Sequence, residues 1–189
     1  WMKSWDARVM TKGQKWHGMM TLPRELKIKD GKIWQSPVRE LEKYKKNPVI
    51  YKEQKMNGSV SLEGIHGRTI DMTVEFASEV SGEFSIDVAH NEMYTTTFTY
   101  DGEKHLLEID RTYSGVDADV VCTRKIEIAD KNNAPKLQFI MDRYSIEVFI
   151  NDGEQVASTA IPTPVEAEEI VFSSDKECIV NIQKYEIEI

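Results

Sequence analysis

Residues 69–77 read TIDMTVEFA, with apolar side chains at every second position. Ile70, Met72, Val74 and Phe76 share one side of an extended chain, and Asp71, Thr73 and Glu75 take the other. The same period of two returns in GEFSIDVAH, through Phe84, Ile86 and Val88, and in SIEVFIN, through Ile146, Val148 and Ile150. Between such runs stand turn signals: Asp30-Gly31, Asn57-Gly58, Ser81-Gly82, Asp101-Gly102 and Asp152-Gly153. An Asp-Gly pair accepts the positive φ angles of a tight hairpin turn, so LKIK-DG-KIWQ, TFTY-DG-EKHLLEI and EVFIN-DG-EQVAS read as hairpins. Many short alternating strands at this spacing predict an all-β chain, an antiparallel sandwich or barrel.

One stretch departs from the alternation. VRELEKYKK, residues 38–46, is rich in helix formers and spaces Val38, Leu41 and Tyr44 three apart, with Pro37 before it and Asn47-Pro48 after it. The chain therefore divides into a stranded segment 1–37, a helical linker 38–47 and a β-domain 48–189, for which a jelly-roll-like sandwich is expected.

Composition narrows the partners. With 40% hydrophobic and 9% aromatic residues, the 189-residue chain can build a core. Its net charge of −8 argues against nucleic acid and anionic membrane surfaces. No run of apolar residues is long enough to span a bilayer, and no signal peptide stands behind Trp1, which reads as a boundary within a longer protein. The two cysteines, Cys122 and Cys178, suit either a bridge or buried free thiols; free thiols fit a reducing compartment and lean the expectation toward the cytoplasm.

Motifs that carry chemistry are scarce. Paired-carboxylate hydrolysis needs two acids about 5–10 Å apart, but the acidic residues here lie on polar strand faces or in turns, where solvated side chains are expected. His17, His66, His90 and His105 are scattered outside any metal-ligand spacing, and no cofactor or metal is predicted. Asp117 and Asp119 in SGVDADV offer two ligands to a calcium ion that needs six to eight oxygens; a polar loop is the plainer reading. Trp1, Trp5, Trp16 and Trp34 all lie in the first 34 residues, leaving the β-domain with tyrosines such as Tyr94, Tyr100, Tyr113, Tyr144 and Tyr185, expected to pack at sheet faces.

Some segments carry a resemblance. WMKSWDARV at the start, the run W-x-G-x-M-T-L-P-R-E-L from Trp16 to Leu26, and the following Q-x-P-V-x-E-L are similar to the last propeller blade of glycoside hydrolase family 32, the family of invertases, sucrose-6-phosphate hydrolases, levanases and inulinases. LEIDRTYSG at 107–115 and MDRYSIEVFINDGE at 141–154 resemble its C-terminal sandwich. The resemblance implies a five-bladed catalytic propeller joined through a short linker to a β-sandwich, with this chain beginning in the fifth blade.

It also implies that the nucleophile aspartate, the R-D-P aspartate and the E-C acid/base glutamate lie upstream. No W-M-N-D-P-N-G or R-D-P occurs here, and Glu177-Cys178 matches E-C only by chance. No catalytic residue is therefore expected in this chain. Trp5, in K-S-W-D, takes the place of a tryptophan that lines the sugar pocket in relatives; packing between blades is its alternative role, and Ser4 and Ala7 depart from the motif.

The implied partners are the protein's own catalytic propeller and, through it, sucrose or fructan. A homodimer is an open alternative, because a lone blade leaves strand edges and apolar faces unburied. Segment 1–37 is accordingly expected either to pack onto the sandwich in a makeshift way or to pair with a second copy. For the sandwich, covering the propeller, holding an oligomer and binding extended fructan are the three open jobs, and the shortage of aromatics speaks against the last.

Overall fold

The structure is a computed structural model that describes residues 2, 18–116, 120–128 and 133–188. The described strands are β1 (Arg24–Lys29), β2 (Lys32–Pro37), β3 (Lys45–Val60), β4 (Ile70–Phe76), β5 (Glu83–His90), β6 (Thr96–Asp101), β7 (Leu106–Asp110), β8 (Thr123–Glu127), β9 (Lys136–Asp142), β10 (Ser145–Ile150), β11 (Gln155–Ala160) and β12 (Glu169–Ile187). β1 and β2 form a separate hairpin around Asp30-Gly31. The others make one curled antiparallel sheet in the order β11-β10-β9-β4-β12-β5-β6-β7-β8, with β3 along the remaining edge of β12.

The curl makes a sandwich. The first half of β12, Glu169–Ser174, pairs with β5, and its second half, Val180–Glu186, pairs with β4. One leaf therefore carries β5–β8 and the other β4, β9, β10 and β11, with the β3–β12 ribbon running through both. Phe98 of β6 meets Phe139 of β9 edge to face, their ring centroids 5.1 Å apart, so the leaves touch across the core. Phe76 of β4 meets Phe84 of β5 in the same way at 5.0 Å. The alternating residues of 69–77, 82–90 and 145–151 supply this core: Met72, Val74, Val88 and Ile150 are wholly buried.

Two local expectations are corrected. The linker helix is a 3₁₀ helix over Arg39–Tyr44, and β3 has already begun at Lys45. A spacing of three is the 3₁₀ period, in which residues i and i+3 eclipse, and it turns Leu41 inward. Asn57-Gly58 is not a hairpin turn: it lies inside β3, where Gly58 takes φ +70° beside a break in register with β12. The extra residues are those of β12, where 175–177 face Asn57 alone, and β3 continues through the break.

β3 pairs only with β12 among the described residues, which leaves a sixteen-residue edge. Its register with β12 breaks in three places, and Asn47 and Glu53 have positive φ. Pro48, Lys46, Lys52 and Lys55 add a missing donor and charge. Bulges, proline and lysine are the features that keep an open edge from recruiting another strand.

Arg68 closes one end of the sandwich. Buried to 6% exposure, it donates to the carbonyls of Pro164 (2.7 Å) and Ala167 (3.2 Å) and to that of Arg143, tying the loop before β12 to the β9–β10 turn. Burial lowers its pKa from the usual arginine value. Arg68→Met should destabilise the fold by about 3 kcal/mol or more, because several buried carbonyls lose their donor; urea unfolding measures it.

Cys122 and Cys178 are both free. Cys178 is buried inside β12, and burial pushes its thiol up despite a hydrogen bond with Ser174, whereas Cys122 is only half-buried. In native buffer one thiol, Cys122, should react promptly with Ellman's reagent, and Cys178 only on unfolding.

Candidate domain interface

The outer face of the β4–β9–β10–β11 leaf is not solvated as its polar residues suggest. Leu22 and Leu41 pack there against Ile140, Phe149, Val156 and Ile187. Ile140 and Phe149 stand on the outward parity of β9 and β10, and their covering explains why β10 is buried at nearly every position. The segment from Leu22 through the 3₁₀ helix thus covers one leaf from outside.

A buried ion pair pins it. Glu147 of β10, 4% exposed, accepts from the guanidinium of Arg24 and from the backbone N–H of Leu22. The Arg24 guanidinium also donates to Ser158 Oγ (2.7 Å) and Gln35 Oε1 (3.0 Å) and sits 5.5 Å from the centroid of the Phe149 ring. One arginine in the P-R-E-L run therefore joins both strands of the hairpin to β10 and β11. Gly153 lets the hairpin come this close: a Cβ there would lie 2.0 Å from the Gln35 carbonyl oxygen.

A second cation marks the end of the 3₁₀ helix. Lys45 Nζ lies 3.0 Å from Asp71 Oδ2 and 2.6 Å from Glu42 Oε1, and 5.1 Å from the centroid of the Tyr185 ring. Burial alone would lower its pKa, but the two carboxylates outweigh burial and hold it above the usual lysine value. Asp71, 2% exposed, also accepts from Gln138 Nε2 at 2.9 Å. Outside these pairs, exposed Arg39 grips Glu25 at 2.6 Å and holds its carboxyl below the usual range.

The expectation of solvated acids thus fails at Asp71 and Glu147. Alternation placed both on the outer face correctly but could not show that this face is itself covered. The clue lay in Phe149 and Ile140, apolar residues on the polar parity of their strands. Asp71 and Glu147 are each neutralised by a cation, so they do not form a free carboxylate pair for hydrolysis.

The other sequence candidates are dispersed. Trp5, Trp1, Trp16, His17, Asp117 and Asp119 lie outside the described residues. No group of three metal-ligating side chains occurs among the described residues. Glu177 faces Lys55 at 3.5 Å on the surface. Tyr100 is buried in the core, whereas Tyr113 is exposed, contrary to the expected packing. Trp34 is half-buried beneath Lys29, whose ammonium lies 4.2 Å from its ring centroid. On the hairpin, Leu26, Ile28 and Ile33 remain exposed, by 66%, 85% and 61%.

Comparison with known proteins agrees with this arrangement. The family described as "Glycosyl hydrolases family 32 C terminal" matches residues 40–187. The raffinose invertase of Escherichia coli is 30% identical over 164 residues, covering 85% of this chain and 33% of the invertase. The sucrose-6-phosphate hydrolase of Staphylococcus xylosus is 26% identical over 189 residues, covering 99% of this chain and 38% of the hydrolase. The chain thus spans little more than a third of these relatives. The crystal structure of the Aspergillus awamori exo-inulinase superposes with a TM-score of 0.82 at 23% identity, over 100% of this chain and 39% of that one.

Glu147→Ala leaves Arg24 buried without its counter-charge and should cost about 3–5 kcal/mol. Amide exchange over residues 22–37 should rise well before that of β4 or β12, and equal loss of protection everywhere would count against a local clasp.

Proposed function

The chain belongs to glycosyl hydrolase family 32, as its C-terminal part, and from that premise we propose that it is the non-catalytic β-sandwich region of a β-fructofuranosidase-type hydrolase, serving to brace a catalytic propeller. The observation that carries this reading is the Arg24–Glu147 pair. It fastens the segment bearing the blade-like W-x-G-x-M-T-L-P-R-E-L run to the outside of the sandwich through buried charge.

A buried pair of this kind adds little net stability over an apolar contact, but it defines one geometry for the join. The apolar hairpin residues Leu26, Ile28 and Ile33 support the reading further, as a face suited to further blades. Residues 1–37 are then the remnant of the last blade, and the 3₁₀ helix is the corner at which the chain turns from blade into sandwich.

Sucrose, sucrose 6-phosphate or fructan is the substrate class proposed for the whole protein, from the names of its relatives. Trp5 is the residue by which this chain would reach the sugar. Neutralisation of Asp71 and Glu147 supports placing catalysis elsewhere. The 189-residue chain should release no fructose from sucrose, sucrose 6-phosphate or levan; release abolished by substituting any of its own carboxylates would overturn the reading.

A further inference from the structure

The curled sheet ends in two edge strands, β11 and β8, which meet at a seam with no backbone ladder between them. Side chains span the gap instead. Gln155 Nε2 donates to the Glu127 carbonyl at 2.7 Å, and the Arg111 guanidinium donates to the Ala160 carbonyl at 3.0 Å. At this seam lies a hollow of about 140 Å³, lined also by Met2 of the N-terminal segment.

Strand parity aims two arginines into the hollow. Arg124 stands opposite Ile109, a core residue 3% exposed, and so lies on the inward face of β8. Arg111 comes two residues after Ile109 on the same parity, and its backbone N–H extends the ladder by donating to the Cys122 carbonyl at 3.1 Å. From the other leaf, Thr159 stands opposite the buried Ile146 and faces inward as well. Arg111, Arg124, Thr159 and Cys122 all line the hollow.

No carboxylate answers these cations among the described residues. Arg124 makes no ion pair or hydrogen bond there, and the Arg111 guanidinium bonds only to the carbonyls of Ala160 and Val121. The acids nearest in sequence are engaged elsewhere: Glu108 pairs with Lys125, and Asp110, on the opposite parity, accepts from Thr112. Burial lowers the pKa of Arg111 from the usual arginine value, and the like charge of Arg124 pushes the same way. An inward charge can guard an open strand edge, which accounts for Arg124 alone. It does not account for a second, half-buried arginine beside it, in a chain whose net charge is −8.

We propose that the hollow binds a small oxyanion of the phosphate class. Guanidinium groups grip such an ion through paired N–H donors, and an anion held by both relieves their mutual repulsion. The Thr159 hydroxyl supplies a further donor. Size sets the class: the hollow is several times a water's share of the liquid, about 30 Å³. It falls short of the roughly 300 Å³ at which pockets for organic ligands begin. The inference does not rest on the bracing role, and either can fail without the other.

The test is an NMR titration of the 189-residue chain with inorganic phosphate, exchanged against sodium chloride at constant ionic strength. Saturable shifts are expected at the amides of residues 109–111, 122–124 and 158–160. Methyl phosphate, run in parallel, separates a site for the free ion from one for the phosphate end of a larger molecule, and the tighter binder identifies the source. Arg124→Gln should weaken binding about tenfold or more with the melting temperature unchanged, and Arg124→Lys should retain part of the affinity. Phosphate should also slow the reaction of Cys122 with Ellman's reagent, with the same half-saturation. Shifts no larger than those chloride produces, or shifts that survive Arg124→Gln in full, overturn the proposal and leave Arg124 as an edge guard.

Discussion

A β-strand has two hydrogen-bonding edges, and the way β12 uses its pair determines this molecule. One edge is given to β3 for nearly its whole length, and the other is divided between β5 and β4. No other described strand bonds to both leaves in this way; β3, its companion, pairs with β12 alone. Ile170 and Phe172 enter the core from the first half of β12, and Val180 and Ile182 from the second. Between the halves, residues 175–177 of β12 lie opposite Asn57 alone, and the ribbon turns from one leaf into the other at that mismatch. The aromatic contacts across the core follow from this turn, since they need the leaves brought face to face.

The outer covering is a second level of organisation built on the first. Because β12 holds β4 against β9 and β10, Asp71, Gln138 and Glu147 form a fixed polar floor onto which Lys45 and Arg24 descend from the N-terminal segment. Apolar contacts among Leu22, Leu41, Ile140 and Phe149 exclude water around them, and in that setting a charge without its partner is costly. Position is thereby enforced more strongly than affinity. Such a join suits a rigid mount between two bodies, which agrees with a chain that covers little more than a third of its relatives.

Much of this was legible in the residues, and what was not has a common cause. The faces of β4, β5 and β10 follow from their alternation, and the hairpins at Asp30-Gly31 and Asp152-Gly153 from turn chemistry. The period of three at Val38, Leu41 and Tyr44 carried the 3₁₀ signal, although it read as an ordinary helix. What escaped was non-local. Asn57-Gly58 carries the same composition as a turn, and only pairing with β12 alongside keeps it inside a strand. Glu147 looks like any outward acid until Arg24, more than a hundred residues earlier, is known to lie over it.

The sequence separation of β3 and β12 also bears on how the domain is made. Synthesis runs from the N-terminus, so β3 emerges long before residues 169–187 can meet it, and both its edges stand open meanwhile. The two leaves cannot be joined during that interval, and the closing step must bring distant parts of the chain together, which slows folding. Bulges, Pro48 and lysines on β3 are usually seen as guards for the finished edge. Here they serve as well during the wait, keeping a nascent strand soluble until the one partner that fits its irregular register has left the ribosome.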